Sequence, residues 1–300
     1  MEFLTEINGN EYLFTNSIKD NETIRKSFDE LSQKTFGLSF EDWYKDGYWK
    51  DAYIPYVLLH NNQVVSNVSV NIMKLDYLGT QKNYIQLGTI MTDIHYRNQG
   101  LSKYLMNKIL KEFSEKNDEV YLFANDSVLN FYPKFGFQKA EEHQHSCIVN
   151  FESTKKAQKL DMSNFRHINL LRKTAANGNP YSKFQMMEND SLLMFYCSKF
   201  MRDNVYYNNN YNAIIIADIT DDVILCYDVF CENNYVALQN ILSSIIAKNG
   251  TQIKFGFTPV ETNDYDLSLL KEEDTTLFML NKKENLFTAN DLMFPLLSHA

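Results

Sequence analysis

The stretch HYRNQGLSKYL, His95 to Leu105, sets an arginine, two polar residues and a glycine directly before a run with helical spacing. The residues ahead of it, YIQLGTIMTD (Tyr84 to Asp93), read as a strand. A glycine between strand and helix lets the backbone approach a ligand closely. The first amides of the helix have no partners within it and point outward with the positive end of the helix dipole. Together they make an anion site, most often for phosphate. Here Asn98, Gln99, Gly100, Leu101 and Ser102 would present those amides, Arg97 would add a charged donor, and the small Ser102 would leave room. An ordinary surface turn before an amphipathic helix could use the same residues, so the surrounding chain has to decide.

That chain has 300 residues, of which 44% are hydrophobic, including 21 Phe and 19 Tyr, enough for one large domain or two of ordinary size. A net charge of −9 argues against a nucleic-acid partner, which calls for a basic surface. It is compatible with a cationic partner such as an amine, or with solubility alone. The four cysteines, Cys147, Cys197, Cys226 and Cys231, show no C-x-x-C spacing and no accompanying His cluster, so no metal site is expected. Reduced, buried thiols in a cytoplasmic protein account for them. The acidic start, MEFLTEINGNEYLF, lacks the apolar core of a signal peptide. The longest apolar candidate, NAIIIADITDDVILCYDVFC, is broken by four Asp and falls short of a membrane span of ~20 residues.

DNETIRKSFDELSQKTFG reads as a helix that Asn21 or Asp20 can cap, with Ile24, Phe28 and Leu31 at near-helical spacing and Gly37 as its end. YIPYVLLHNNQVVSNVSVNIMKL reads as two strands around an Asn61-Asn62 turn, and a third runs from about Asn83 to Thr92. The helix after Gly100 carries Leu101, Tyr104, Leu105, Ile109, Leu110 and Phe113 on one stripe. EVYLFAN is a short strand, DSVLNFYPKFGF a short helix broken near Pro133 with a turn at Gly136, and HSCIVNF a closing strand. The polar segment Glu152 to Asn164 is the expected linker between domains 1–150 and 151–300. Beyond it the order repeats in worn form. AIIIADI and VILCYDVFC pair around Asp221-Asp222, then come a helix over NYVALQNILSSIIAKNG, the strand QIKFGF, a helical DYDLSLL and the strand TTLFML. CENNYVAL stands where the Arg-x-x-Gly turn would be, with Glu232 in a place unsuited to phosphate.

GTIMTDIHYRNQGLSKYLMNKIL resembles the Arg/Gln-x-x-Gly-x-Gly/Ala motif of the GCN5-related N-acetyltransferases (GNAT), and NDSVLNFYPKFGF resembles that family's second motif. The pair covers about residues 20 to 150, while the rest is similar to tandem members with a degenerate second copy. The resemblance implies an α/β GNAT fold with a mixed, splayed sheet, followed by a degenerate GNAT-like α/β domain. It implies direct acetyl transfer from acetyl-CoA to a primary amine, small molecule or peptide. Ile90, Met91 and Thr92 would pair with the pantetheine arm as an added strand would. Arg97 and the amides of Asn98 to Ser102 would hold the pyrophosphate, with Ser102 replacing the usual Gly or Ala. Asn125 would hydrogen-bond the pantetheine or a nearby water, and Tyr132 would be the general acid to the leaving thiolate. Tyr132 could equally be a core aromatic, and Asn125 a helix cap.

The base is less defined. The strand Tyr84–Thr92 has no carboxylate; Asp93 and Asp126 lie just past strand ends and could act directly or through water, or serve only as caps, and His95 is a surface residue before the turn. The apolar tail DLMFPLLSHA is expected to dock as a last strand of the second half. Tandem relatives that seat their terminal carboxylate in the first domain's site make Ala300, or His299, a further candidate base. Trp43, Tyr44, Tyr48 and Trp49 line an aromatic acceptor pocket or simply pack. The rival reading is a non-catalytic acyl-CoA-binding or sensing module; oligomeric state is open, a homo-oligomer included.

Overall fold

The computed structural model describes residues 1–151, 153–280 and 286–300. In chain order the first half holds strands β1 (Glu2–Ile7) and β2 (Asn10–Thr15), helices α1 (Glu22–Phe36) and α2 (Glu41–Lys45), strands β3 (Tyr53–His60), β4 (Gln63–Tyr77) and β5 (Thr80–Thr92), helix α3 (Leu101–Phe113), then strands β6 (Glu119–Ala124), β7 (Gln138–Lys139) and β8 (His143–Val149). The second half holds β9 (Gln158–Lys159), α4 (Phe165–Ala175), β10 (Phe184–Met187), α5 (Asp190–Phe195), β11 (Val205–Asn208), β12 (Ala213–Ile219), β13 (Val223–Phe230), α6 (Leu238–Leu242), β14 (Thr251–Phe255), β15 (Asp266–Leu269), β16 (Thr276–Met279) and α7 (Leu286–Asn290).

Local chemistry explains the early elements. The Asn21 carboxamide accepts from the Ile24 amide at 3.2 Å and starts α1, and Gly37, at φ 68°, ends it. Asn61 and Asn62 both adopt positive φ, 51° and 63°, as a two-residue hairpin between β3 and β4 requires. The pair Asn8-Gly9, at 51° and 80°, does the same between β1 and β2, a hairpin that the sequence reading left out. The apolar stripe of α3 buries Leu101, Leu105, Met106 and Ile109 against the sheet.

The described strands form two mixed sheets. The first runs β1-β2-β3-β4-β5-β6-β16-β7, with β10 on β4; the second runs β15-β8-β14-β13-β12-β11-β9. The central steps match. β5 and β6 are parallel across α3, and β13 and β14 are parallel across α6. This is the repeat expected from the order of elements, realised as two α/β layers.

The sheets do not divide at residue 150. β8, from the first half, pairs with β14, whereas β16, from the second half, pairs with β6. Each half therefore supplies the strand that extends the other's parallel pair. The exchange satisfies the outer edges of β6 and β14 and fuses the cores. Phe278 of β16 packs with Tyr132, Phe137 and Leu122 of the first half, and Tyr121 stacks on Phe294 at 4.0 Å.

Three further expectations are corrected. DYDLSLL is not helical; Asp266–Leu269 is a strand on β8, its outward groups paired with the ladder. The helix expected over NYVALQNILSSIIAKNG shrinks to Leu238–Leu242 followed by turns. The tail is no strand of the second sheet. It makes a 3-10 turn at Leu296–Ser298 and carries Ala300 against Gly88 of the first sheet. Its apolar residues still dock as expected, with Leu292, Met293, Phe294 and Leu297 buried.

Candidate active site

β5 and β6 are paired only from Tyr84–Leu87 to Glu119–Leu122. Beyond Leu87 the two strands part, β6 continuing beside β16 and β5 beside β4. A bulge marks the parting. The β4–β5 register slips between Asn67 and Ser69, and Thr89 adopts φ 47°. A β-branched residue there costs on the order of 1–3 kcal/mol, which the surroundings must offset. Asn67 Nδ2 donates to the Thr89 carbonyl at 2.6 Å, and the Tyr53 hydroxyl meets Thr89 Oγ1 at 3.0 Å and Ser69 Oγ at 2.9 Å. The bulge thus turns the next residues towards a cleft in the splay.

That cleft, of about 700 Å³, is lined by Ile90, Met91 and Thr92 on one wall, by Arg97, Asn98, Gly100, Leu101 and Ser102 at one end, and by Asn125 and Tyr132 opposite. Most residues singled out in sequence therefore converge; Gln99, Asp93, Asp126, His299 and Ala300 do not line this cleft. Gln99 is outside the lining; its carbonyl accepts from Asn8 Nδ2 at 2.7 Å and its Oε1 from the Tyr12 hydroxyl at 3.2 Å, which ties the turn to the β1–β2 hairpin. Asp93 caps the short turn Ile94–Tyr96 by accepting from the His95 amide and lines neither cavity of the site.

The turn Arg97–Ser102 is built from backbone shape. Asn98 and Gly100 are both left-handed, φ 62° and 83°, and Gly100 stands at the N-cap of α3 with no capping side chain. The first amides of α3 consequently face the cleft uncapped. Arg97 Nε is tethered to the Thr92 carbonyl at 3.2 Å, and Thr92 Oγ1 meets Ser102 Oγ at 2.7 Å, which joins the strand end to the helix start. Lys103 and Lys134 also line the cleft and Asp274 is its one lining carboxylate among the described residues, so a cationic lining stands out in a chain of net charge −9.

Asn125 is already engaged. Its Nδ2 donates to Asp274 Oδ2 at 2.9 Å, and the Asp126 amide donates to Asp274 Oδ1 at 2.6 Å. Asp274 arrives from the second half with no mark in the sequence to announce it. Tyr132 is 5% exposed among Phe131, Phe137 and Phe278, and burial pushes its hydroxyl up to about 12.

A second cavity, of about 310 Å³, lies beyond the bulge. Trp43, Tyr53, Asn71 and Thr89 of the first half meet Phe195, Tyr196, His299 and Ala300 of the second. Trp43 thus reaches the cavity, Trp49 stacks on it at 5.6 Å, Tyr44 lies under the Arg25 guanidinium and Tyr48 near that of Arg172. Ala300 is seated directly on Gly88; a Cβ there would stand 3.0 Å from the Ala300 carbonyl carbon. A glycine inside a strand run signals such an approach, so Gly88 was a readable clue. His299 is stacked on Phe123 at 3.8 Å, and burial lowers its imidazole to about 3, leaving it neutral.

Residues 21–140 match the family model described as an acetyltransferase (GNAT) domain. Along nearly its whole length the fold is similar to a conserved protein from Enterococcus faecalis V583 (TM-score 0.59, 13% identity, 93% of this chain and 72% of that one). It is also similar to a GCN5-related N-acetyltransferase from Anabaena variabilis (TM-score 0.55, 13% identity, 90% and 73%) and to Eis1 from Mycobacterium abscessus (TM-score 0.51, 12% identity, 94% and 74%). At these identities the likeness is one of fold. No curated protein matches by sequence. Among the described residues no helix is long and apolar enough to cross a membrane.

Proposed function

We propose, from the match of residues 21–140 to the GNAT acetyltransferase domain model, that the protein moves an acetyl group from acetyl-CoA to a primary amine within one ternary complex. The observation that carries this reading is the adjacency of the two cavities at one bulge: Ile90 lines the cationic cleft and its neighbour Thr89 the aromatic one. A donor held along β5 would bring its thioester to that bulge, and an acceptor in the second cavity would meet it there. Good positioning of two reactants is worth roughly 7–11 kcal/mol at best.

In the reaction the amine nitrogen attacks the thioester carbonyl carbon, the C–N bond forms and the C–S bond breaks. The amine proton passes to a base, and the leaving sulfur takes a proton from Tyr132, which solvent later restores. Ile90 to Thr92 offer backbone to the pantetheine arm, Arg97 with the Asn98–Ser102 turn holds the pyrophosphate, and Lys103 and Lys134 add charge nearby. For the base, a neutral His299 lowered to about 3 is a poor acceptor, and Asp93 is occupied as a cap. The carboxylate that Ala300 carries as the last residue of this sequence is better placed, against Gly88 beside the bulge.

The test is initial-velocity kinetics of thiol release from acetyl-CoA. Release that depends on the amine, with intersecting double-reciprocal lines, is expected. Binding of acetyl-CoA without amine-dependent release would favour the sensing module instead. Adding two glycines after Ala300 moves the carboxylate and removes no side chain. That variant should lose about 10²-fold or more in turnover, the scale of general-base catalysis. His299→Ala should lose much less. Full activity and an unchanged pH profile in the extended chain would assign the base elsewhere.

A further inference from the structure

From the acceptor cavity we infer the acceptor's class: a small monoamine with a flat, apolar, preferably aromatic body and no second charge. The inference rests on the acetyl-transfer reading above and deepens it. The cavity, about 310 Å³, is at the small end of ligand pockets, which run ~300–1,000 Å³. Its walls are Phe40, Trp43, Leu192, Phe195 and Phe200, and among the described residues no Asp, Glu, Lys or Arg side chain lines it.

Most polar side chains that line it are spent on the protein itself; the exception is the neutral His299, whose buried Nε2 has no partner among the described residues. Trp43 Nε1 donates to the Ser191 carbonyl at 2.8 Å, and Ser191 Oγ to the Tyr48 carbonyl at 2.6 Å. Tyr53 is shared between Ser69 and Thr89, the Tyr196 hydroxyl donates to the His299 carbonyl, and Asn189 Oδ1 accepts from the Leu192 amide at 3.0 Å. A second ammonium, or the carboxylate of an amino acid, would enter this space with no side chain of opposite charge to meet it. Burying such a charge unpaired is heavily penalised. An aromatic ring, by contrast, would fit between aromatic walls and gain edge and face contacts beyond plain area burial. Thr89 and Ala300, which lies against the neighbouring Gly88, form the polar end of the cavity, which would set the amine towards the thioester and the body towards Phe40 and Trp43.

Two independent readouts test this on the full chain. Trp43 lines this wall and Trp49, the other tryptophan of the chain, stacks on it, so their fluorescence reports acceptor binding without any turnover. 2-Phenylethylamine should change the emission saturably; spermidine and phenylalanine should not. With acetyl-CoA, kcat/KM for 2-phenylethylamine should exceed that for spermidine or phenylalanine by about 100-fold or more, the scale of one unpaired buried charge. Leu38, half-buried in a loop and lining the cavity, offers a reversal: Leu38→Glu supplies the missing carboxylate and should shift preference towards 1,4-diaminobutane by about tenfold or more. Saturable binding of 2-phenylethylamine with no acetylation would uphold the acceptor class and sink the acetyl-transfer reading. Equal or better binding or turnover of spermidine or phenylalanine, or no binding of 2-phenylethylamine at all, would overturn the inference.

Discussion

Tyr132→Phe should leave the protein folded and bind acetyl-CoA normally, while turnover falls by about 10²-fold or more, the usual cost of losing a general acid. The substitution removes one oxygen from a ring set among Phe131, Phe137 and Phe278 and opens no cavity. Burial alone raises the hydroxyl, to about 12, so no partner is stranded when it goes. The same shift keeps the proton on Tyr132 across neutral pH, and any alkaline loss of rate that belongs to this group should lie near 12. The measurement is kcat beside an acetyl-CoA titration of both proteins, with thermal unfolding to confirm the fold. Near wild-type turnover would remove Tyr132 from the chemistry and return it to the core, where the apolar neighbours would equally place it.

Gly100→Asp should abolish measurable acetyl-CoA binding. Gly100 sits at φ 83°, where any side chain is strained, and a Cβ would stand 3.4 Å from Asn8 Nδ2, on the contact that pins the turn to the first hairpin. The added carboxylate would also face the space where the pyrophosphate is expected. Losing the anion site and gaining a repulsive charge should cost at least ~3 kcal/mol, more than a hundredfold in affinity. Calorimetry should find one acetyl-CoA per wild-type chain, because α6 of the second sheet starts at Leu238 with Ala237, not glycine, at its cap. Unchanged affinity in Gly100→Asp would move the cofactor away from this turn; two sites per chain would show that the second layer binds as well.

The cationic cleft was legible because its parts are close in sequence. Ile90 to Ser102 lie on one strand, one turn and one helix start, and the glycine that permits the turn is visible as a letter. The acceptor cavity was not. Trp43, Thr89, Phe195 and Ala300 come from both halves, and no local pattern records that they meet. The π-helical turn Tyr196–Phe200 and the strain at Thr89 likewise leave no signature, since tertiary hydrogen bonds from Tyr53 and Asn67 impose the latter.

Sequence by itself determined the elements whose cause is local: the α1 caps at Asn21 and Gly37, the Asn61-Asn62 hairpin, the buried stripe of α3 and the left-handed turn at Gly100. It also carried the repeat, through the order of strands and helices, and the docking of an apolar tail. Only the tertiary structure decided which sheet each strand joined. β8 and β16 are equally able to extend either parallel pair as far as side-chain alternation shows, and DYDLSLL became a strand because β8 offered it an edge. Strand partners are chosen by free edges and by the shared core around Tyr121, Phe184 and Phe294, quantities that exist only once both halves are assembled. The same assembly brings Ala300 across to Gly88, beside a strand that has no carboxylate of its own.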